Sequence, residues 1–245
     1  MRDAYSSFDS YTDIGTVESP DGPAPRIKFR THFKRPRSFR FGWTIRHPDT
    51  GQKVEPEEQL IWTNGEKYWR YMIGEVEQQA SLSSLTEAAS AMSRGAASII
   101  SHLLIPDSQG KKDELLHNGL KLTDLALLGE DDINGVSCFH LAGESFPGSR
   151  TEAWIETDRY VVRRLRLINE ITEEMGLTMK SFIHEQGFVD NFRVQAAAFG
   201  LSDQPIEQTV QGITTMVYPS KKEQTYTYSS VAINESLDCS LFICR

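Results

Sequence analysis

The chain has 245 residues, with 26 lysines and arginines against 34 aspartates and glutamates, and a net charge of −8 at pH 7. Nucleic-acid binding depends on neutralising phosphates, so nucleic acid is not an expected partner of this acidic chain. Hydrophobic residues make up 39% of the sequence, which is typical of a globular protein and excludes a disordered or collagen-like chain. No apolar run approaches the ~18 residues of a transmembrane helix, so none is predicted.

The N-terminal segment and the cysteines bear on location and redox state. Residues 1–10 resemble the end of a helix and contain no apolar signal-peptide region, so we expect that a leader has been removed upstream. Three cysteines, Cys138, Cys239 and Cys244, are too few for a disulfide framework. On a shared strand Cys239 and Cys244 would point to opposite faces, so a bond between them is not expected. A bridge from one of them to Cys138 and three free thiols both stay open.

Two aromatic strands and a hairpin are predicted in the first third of the chain. The segments RIKFRTHFKR and RSFRFGWTIR, residues 26–35 and 37–46, alternate between apolar and polar side chains, as half-buried strands do. The segments LIWT and KYWRYMI flank Asn64-Gly65, the pair favoured in a type I′ hairpin turn. We expect their aromatic side chains to form one apolar sheet face, which comprises Phe29, Phe33, Phe39, Phe41, Trp43, Trp62, Trp69 and Tyr71.

A helical lid is predicted next, near residues 82–105. Residues 84–87, SLTE, fit a capping box, and Pro106 ends the pattern. Gly95 divides the run into two helices or one kinked helix and is a candidate hinge. The lid would cover the aromatic face with an apolar stripe that includes Met92, Ile99 and Leu103. Sheet and lid would then enclose either a filled core or an apolar pocket, and both alternatives stay open.

Strands are predicted again in the second half. They are LTDLALLG, VSCFHLAG, TEAWIET, VVRRLRLI, LTMKSFIHE and TYTYSSVAI, with a turn at GEDDING and a tight reversal at Asp158-Arg159. Residues 191–222 form either a helix or a long excursion. This order predicts one α+β domain over residues 1–245, mainly β, with a large antiparallel sheet and helices packed on one face.

The sequence carries no catalytic signature, so we predict no enzyme, no cofactor and no metal site. It lacks a nucleophile elbow, a phosphate-binding loop and a dinucleotide motif, and its six histidines have no metal-ligand spacing. Cys138 and His140 share a strand face, which leaves a hydrolase as a third alternative behind an ordinary buried thiol. Adjacent carboxylates such as Glu173-Glu174 are interpreted as solvated loop charge.

Five basic residues form either a solvated strand face or a docking surface for an acidic partner: Lys28, Arg30, Lys34, Arg40 and Arg46.

The segment FKRPRSFRFGW, followed by PDTGQKVEPEEQLIWTNGEKYWRYMIGEVEQQASL, resembles the LolA family of periplasmic lipoprotein carriers. The residues that match the family's order are Lys34, Arg35, Pro36, Phe39, Trp43, Gly65, Trp69 and Tyr71. The resemblance covers residues 8–105 well and the remainder loosely. The loop at 47–57 is longer than in the family, and residues 191–222 look like an insertion. The GEDDINGVSCFHLAG region is closer to an uncharacterised LolA-like branch than to the carrier itself.

This resemblance implies a LolA/LolB-like fold: a large curved antiparallel sheet, forming an open and incomplete barrel, with helices in its concave face. It also implies that Arg35 holds the helical lid closed. The expected function is a non-enzymatic, periplasmic carrier or sensor that binds the acyl chain of a lipid or lipoprotein in an apolar hollow. The hollow is predicted to be lined by Phe29, Phe33, Phe39, Phe41, Trp43, Trp62, Trp69, Tyr71, Met92, Ile99 and Leu103. The alternative is a protein-interaction or envelope-structure module with a closed core and an envelope protein as partner.

Overall fold

A computed structural model shows how the chain folds. It describes residues 2–20, 26–46, 58–72, 74–79, 85–93, 95–97, 99–105, 122–145, 148–184, 189–190, 211–212, 215 and 218–243. The chain divides into two compact units, of which one comprises residues 1–167 with 223–245 and the other residues 168–222.

The described elements are eleven strands, four α-helices and a short 3-10 helix. In chain order they are α1 Arg2–Ser7, β1 Ser10–Glu18, β2 Arg26–Lys34, β3 Ser38–Arg46, β4 Gln59–Thr63, β5 Tyr68–Met72, β6 Glu75–Gln79, α2 Leu85–Met92, α3 Ile100–Leu104, β7 Thr123–Asp132, β8 Ser137–Glu144, β9 Ser149–Glu156, β10 Val162–Ile171, α4 Glu173–His184, β11 Ser220–Ile233 and the 3-10 helix Cys239–Phe242.

All eleven strands belong to one antiparallel sheet, in the order β6-β5-β4-β3-β2-β1-β11-β10-β9-β8-β7. Neighbours in the sheet are neighbours in sequence except in the middle, where β1 pairs with β11. Among the described strands, β6 and β7 are therefore the free edges, and the sheet is open. This confirms the predicted fold class: mainly β, with one large antiparallel sheet and short helices.

Strict alternation separates the two faces of β1, β2 and β3. In the register Tyr11 lies opposite Phe33, and Phe33 lies opposite Phe39. We call the face with these side chains the inner face, and it carries a continuous hydrophobic core. The opposite, outer face carries the charged residues of β2 and β3, such as Lys28 and Arg30. The period-2 reading of residues 26–46 is confirmed.

The helices of the larger unit pack into that core. Tyr5 of α1, Leu85 of α2 and Ile100 of α3 are each at most 2% exposed and belong to the same cluster as the inner-face aromatics. Between α2 and α3 the backbone of Gly95 has a φ of +86°, a conformation that favours glycine. The predicted division of the helical segment at Gly95 is confirmed.

One predicted strand is wrong. Of the segment LTMKSFIHE, residues 177–184 lie in α4, Glu173–His184, and not in the sheet, and its last residue lies outside the described residues. Thr172 begins this helix, because its hydroxyl accepts a hydrogen bond of 3.2 Å from the Met175 amide. Glu173 and Glu174 occupy the first turn, where the helix dipole favours negative charge, and not a loop. Most of the predicted insertion at 191–222 lies outside the described residues, as does the loop at 47–57.

Candidate functional site

The aromatic residues predicted to line a ligand hollow lie in the hydrophobic core. Phe29, Phe33, Phe39, Phe41 and Trp43 are at most 3% exposed, and neighbouring rings touch. The ring centroids of Phe29 and Phe41 are 5.6 Å apart, and those of Phe41 and Trp43 are 5.9 Å apart. Of the two alternatives that the sequence leaves open, this packing favours a filled core.

The helical residues predicted for the same hollow join that core. Ile99 and Leu103 are buried in the cluster that contains the five inner-face aromatic rings. The side chain of Met92 lies outside the described residues. The ligand-binding role of these residues stays a prediction.

Three other predicted residues lie on the outer face. In the register Phe41 faces Ile61, whereas Trp62 faces Arg40 and Trp69. The two tryptophan rings stack with centroids 6.2 Å apart, and the Arg40 guanidinium lies 5.9 Å above the Trp62 ring. Tyr71, two residues after Trp69, shares this face. The predicted single aromatic face is therefore corrected to two, because β4 places its tryptophan one residue out of phase with the aromatics of β3.

Arg35 fastens α1. Its guanidinium donates hydrogen bonds of 3.1, 2.6 and 2.8 Å to the carbonyl oxygens of Tyr5, Ser6 and Phe8. These carbonyls lie in the last turn of α1 and directly after it, where a helix leaves carbonyl groups in need of donors. The predicted lid comprised α2 and α3, whereas the contacts described for Arg35 are to α1, which packs against α3.

Most of the predicted basic docking face is engaged within the chain. Arg30 pairs with Glu58 at 3.0 Å. Lys34 and Arg40 donate hydrogen bonds of 3.4 and 3.0 Å to the carbonyl oxygens of Leu237 and Leu241 in the C-terminal segment, which crosses the outer face here. These contacts occupy the side chains that would otherwise be available to an acidic partner.

A different region of the inner face carries an apolar pocket. It has a volume of about 540 Å³, within the range of small-molecule sites. Its lining residues come from β7, β8, β9 and β10 and their flanks, and they are Leu122, Leu125, Leu127, Phe139, Leu141, Ala153, Ile155, Tyr160 and Leu165. None of these side chains carries a charge, so the pocket is suited to a hydrocarbon group.

Strand geometry explains why this surface is apolar. Phe139 and Leu141 alternate along β8, and they pair with Ile155 and Ala153 of β9 on the same face. On β7 the register shifts between Thr123 and Ala126 and again between Leu127 and Gly129, as at β-bulges. Leu125 and Leu127 remain 58% and 63% exposed although they line the pocket. A ligand that covered them would remove this apolar surface from water.

The outer face of the same strands does not assemble the suspected nucleophile site. Cys138 is buried, its thiol donates to the Val136 carbonyl at 3.4 Å, and burial raises its pKa. The His140 ring stacks on Trp154 at 4.2 Å, and its Nδ1 lies 3.1 Å from Asp131. A buried thiol with a raised pKa is a poor nucleophile, so these contacts favour the structural interpretation.

The state of the cysteines and the presence of a metal site can be described for the described residues. Cys138 and Cys239 are free thiols, and Cys244 lies outside those residues. Within the described ranges, no three histidine, cysteine, aspartate or glutamate side chains are grouped to hold a metal ion. No helix there has the length and apolar character needed to cross a membrane.

The pocket residues were not predicted as a site from the sequence. Its strand predictions for LTDLALLG and VSCFHLAG contain Leu125, Leu127 and Leu141, but as ordinary strand positions. One available signal was that Leu125, Leu127 and Leu128 occur in a segment with four acidic residues. A strand with so many charges has little need of apolar side chains for core packing, so the three leucines indicate a binding surface.

No protein-family model and no curated protein matches the chain. Among solved structures, a chain of the Pseudomonas aeruginosa MucA/MucB complex is similar over 100% of this chain, with 8% identity and a TM-score of 0.45. This chain covers only 58% of that one. LprF from Mycobacterium bovis is similar over 97% of this chain and 90% of its own, with 8% identity and a TM-score of 0.42.

The LolA superfamily protein NE2245 from Nitrosomonas europaea is similar over 97% of this chain and 91% of its own, with 10% identity and a TM-score of 0.31. The similar structures thus include the superfamily that the sequence resembles.

Proposed function

We propose that this protein is a non-enzymatic binding protein that holds the acyl chain of a lipid or lipoprotein in the pocket between β7 and β10. One observation carries the proposal: a pocket of about 540 Å³ whose lining is apolar and whose β7 leucines, Leu125 and Leu127, are more than half exposed. Each buried CH₂ group contributes roughly 0.8 kcal/mol, so eight of them would contribute roughly 6 kcal/mol without any hydrogen bond.

The biological role in this proposal is a carrier or sensor in the cell envelope. The resemblance of residues 8–105 to the LolA family supports it, together with the absence of a catalytic motif from the sequence. The inner-face aromatics, which the sequence analysis predicts as the lining of the hollow, are the alternative binding site for the acyl chain. They are less suited, since they already pack against one another and against α2 and α3.

A matched pair of leucine variants tests the pocket. Leu127 lines it and is 63% exposed, whereas the next residue, Leu128, is 50% exposed and does not line it. Binding of the neutral fluorophore N-phenylnaphthylamine, and its displacement by dodecyl maltoside, would be measured for Leu127→Asn and Leu128→Asn. We expect Leu127→Asn to lower the affinity for the fluorophore and for dodecyl maltoside by about tenfold or more, because the leucine side chain is buried only on binding. Leu128→Asn should bind as the unmodified chain does, and equal affinity of all three proteins would refute the pocket.

The second candidate is a protein-interaction module with a closed core. The filled core beneath the inner-face aromatics favours it, and so do the three exposed leucines of the free edge strand β7. A partner that covers the edge strand would contact Leu127 and Leu128 together. Loss of partner binding in both asparagine variants, without any binding of N-phenylnaphthylamine, would support this function over the first.

A further inference from the structure

The apolar pocket has a negatively charged side chain beside it. Glu130 of β7 lies directly opposite Phe139 of β8, which lines the pocket. Residues directly opposite in an antiparallel pair share a face, with Cβ atoms about 4.5–5.5 Å apart. The Glu130 carboxylate is therefore on the pocket side of the sheet. Asp132, two residues further along, faces Ser137 on the same side.

The nearby positive charges do not neutralise Glu130. Arg159 and Arg163 lie at the same end of the strands, but both donate to the Glu156 carboxylate, at 2.5 and 2.7 Å. Glu130 is exposed and forms no ion pair with any residue of the described ranges. On the pocket side of the sheet, the register thus places two carboxylates at this end, those of Glu130 and Asp132.

An aromatic ring completes this end of the pocket. Tyr160 lines the pocket, is 50% exposed, and follows the turn between β9 and β10. This turn lies beside the β7–β8 turn, since the Thr157 amide donates to the Ser137 carbonyl at 3.1 Å. An ammonium group is attracted both to the face of a tyrosine ring and to a carboxylate.

We propose that the ligand is a lipid whose head group carries an ammonium, with its chain in the pocket and its head between Tyr160 and Glu130. This inference rests on the proposed function and names the chemical class of its ligand. A fatty-acid carboxylate is the disfavoured ligand, because Glu130 would repel its charge.

Three amphiphiles with hydrocarbon chains of eleven or twelve carbons distinguish the contribution of the head group from that of the chain. Dodecyltrimethylammonium, dodecyl maltoside and dodecanoate, each below its micelle concentration, would displace N-phenylnaphthylamine from the full chain at low ionic strength. We expect the ammonium compound to bind about tenfold more tightly than the maltoside, and dodecanoate to bind more weakly than both. Salt should reduce these differences, since it screens exposed charges.

Glutamine variants at the two sheet edges locate the charge. Glu130→Gln should reduce the preference for ammonium over dodecanoate by about threefold or more and leave the maltoside unchanged. Glu75→Gln changes an exposed glutamate on the other edge strand, β6, and should alter none of the three affinities. If both variants had the same effect, the net charge of the protein would explain the preference for ammonium, and the inference would be overturned.

The two proposals fail in different ways. If all three amphiphiles displace the fluorophore equally, the chain-binding pocket stands and the ammonium head group is refuted. If none displaces it, the proposed function fails, and the ligand class fails with it.

Discussion

Tyr11 and Asp13, two residues apart on β1, are joined by a hydrogen bond of 2.9 Å in which the tyrosine hydroxyl donates to the carboxylate within the core. The Thr31 amide donates to the other carboxylate oxygen at 3.1 Å. Asp13 is 2% exposed, and burial raises its pKa to about 6 although the hydrogen bonds from Thr31 and Tyr11 act to lower it. The core thus contains an acid that titrates near neutral pH.

This acid makes stability depend on pH. Its pKa is higher in the folded than in the unfolded chain, so the folded chain binds the proton more tightly. The stabilising contribution is fully present below the ordinary pKa of 3.8 and is lost as the pH rises through about 6. Between pH 5 and pH 8 we expect a loss on the order of 1.5 kcal/mol from this group.

An isosteric variant isolates Asp13 from the other titrating groups. Asp13→Asn keeps an oxygen that accepts from the Thr31 amide but does not titrate. The free energy of unfolding of both proteins would be measured by urea denaturation from pH 5 to pH 8. We expect the stability of the variant relative to the unmodified chain to rise with pH. A difference independent of pH would contradict the raised pKa.

A buried ion pair produces the opposite pH dependence. Glu156 and Arg163 are each at most 6% exposed, and Arg163 Nη2 lies 2.7 Å from Glu156 Oε2. Burial acts to raise the pKa of Glu156, but hydrogen bonds from Arg159 and Arg163 hold it below the ordinary 4.5. This contribution is present above that value and is lost as the pH falls below it. Stability should therefore decline in acid through Glu156 and toward alkaline pH through Asp13.

Removal of one partner from this pair should be costly. Arg163→Ala leaves a buried carboxylate with fewer donors, and we expect it to lower the free energy of unfolding by about 3 kcal/mol. Arg26→Ala is the control, because Arg26 pairs with Glu18 at 3.0 Å while both side chains are about half exposed. That variant should cost less than about 1 kcal/mol. Similar costs in urea denaturation would contradict the importance assigned to burial.

Close packing at Gly15 gives a third prediction. A Cβ atom placed there would overlap the Phe29 ring and lie 2.6 Å from the Thr227 carbonyl oxygen. Gly15→Ala should destabilise the fold by about 1–3 kcal/mol, because the core must shift to admit one methyl group. Phe29→Leu in the same chain should recover part of this cost relative to the sum of the two single changes. Strict additivity in thermal or urea unfolding would show that the ring is not the obstacle.

Arg35 gives a local prediction. Because its guanidinium donates to three carbonyls at the end of α1, Arg35→Ala should remove a donor from each of them. We expect hydrogen exchange to accelerate in residues 2–7 and to change little in β7–β10. Arg37→Ala, an exposed change two residues away, is the control. Unchanged exchange in α1 would contradict the fastening role.

The sequence predicts the sheet well where one face is buried. Alternation in residues 26–46 fixes both the strands and the face of each side chain, and Asn64-Gly65 places the hairpin. It fails for LTMKSFIHE, because a short apolar pattern fits a strand or a helix, and the Thr172 cap decides for the helix. Alternation within each strand also does not determine which residue of β4 pairs with which residue of β3. The prediction that Trp62 and Trp69 lie on the inner face is therefore wrong.

The candidate site was harder to predict than the fold. Periodicity says which side chains face inward, but whether they meet other side chains or empty space depends on distances between strands and helices. The inner-face aromatics meet α1, α2 and α3 and fill their space. The inward residues of β7–β10, such as Leu141 and Ile155, line the pocket. Both regions have the same apolar pattern in the sequence.

The position of a bound chain tests the central claim most directly. A crystal structure would be determined with a dodecyl maltoside that carries bromine on its last chain carbon, and the bromine located by anomalous scattering. We predict a peak among Leu141, Ala153 and Ile155. A peak between Phe29 and Phe41 beneath α2 and α3, or no ordered bromine at saturating ligand, would contradict the assignment of the pocket.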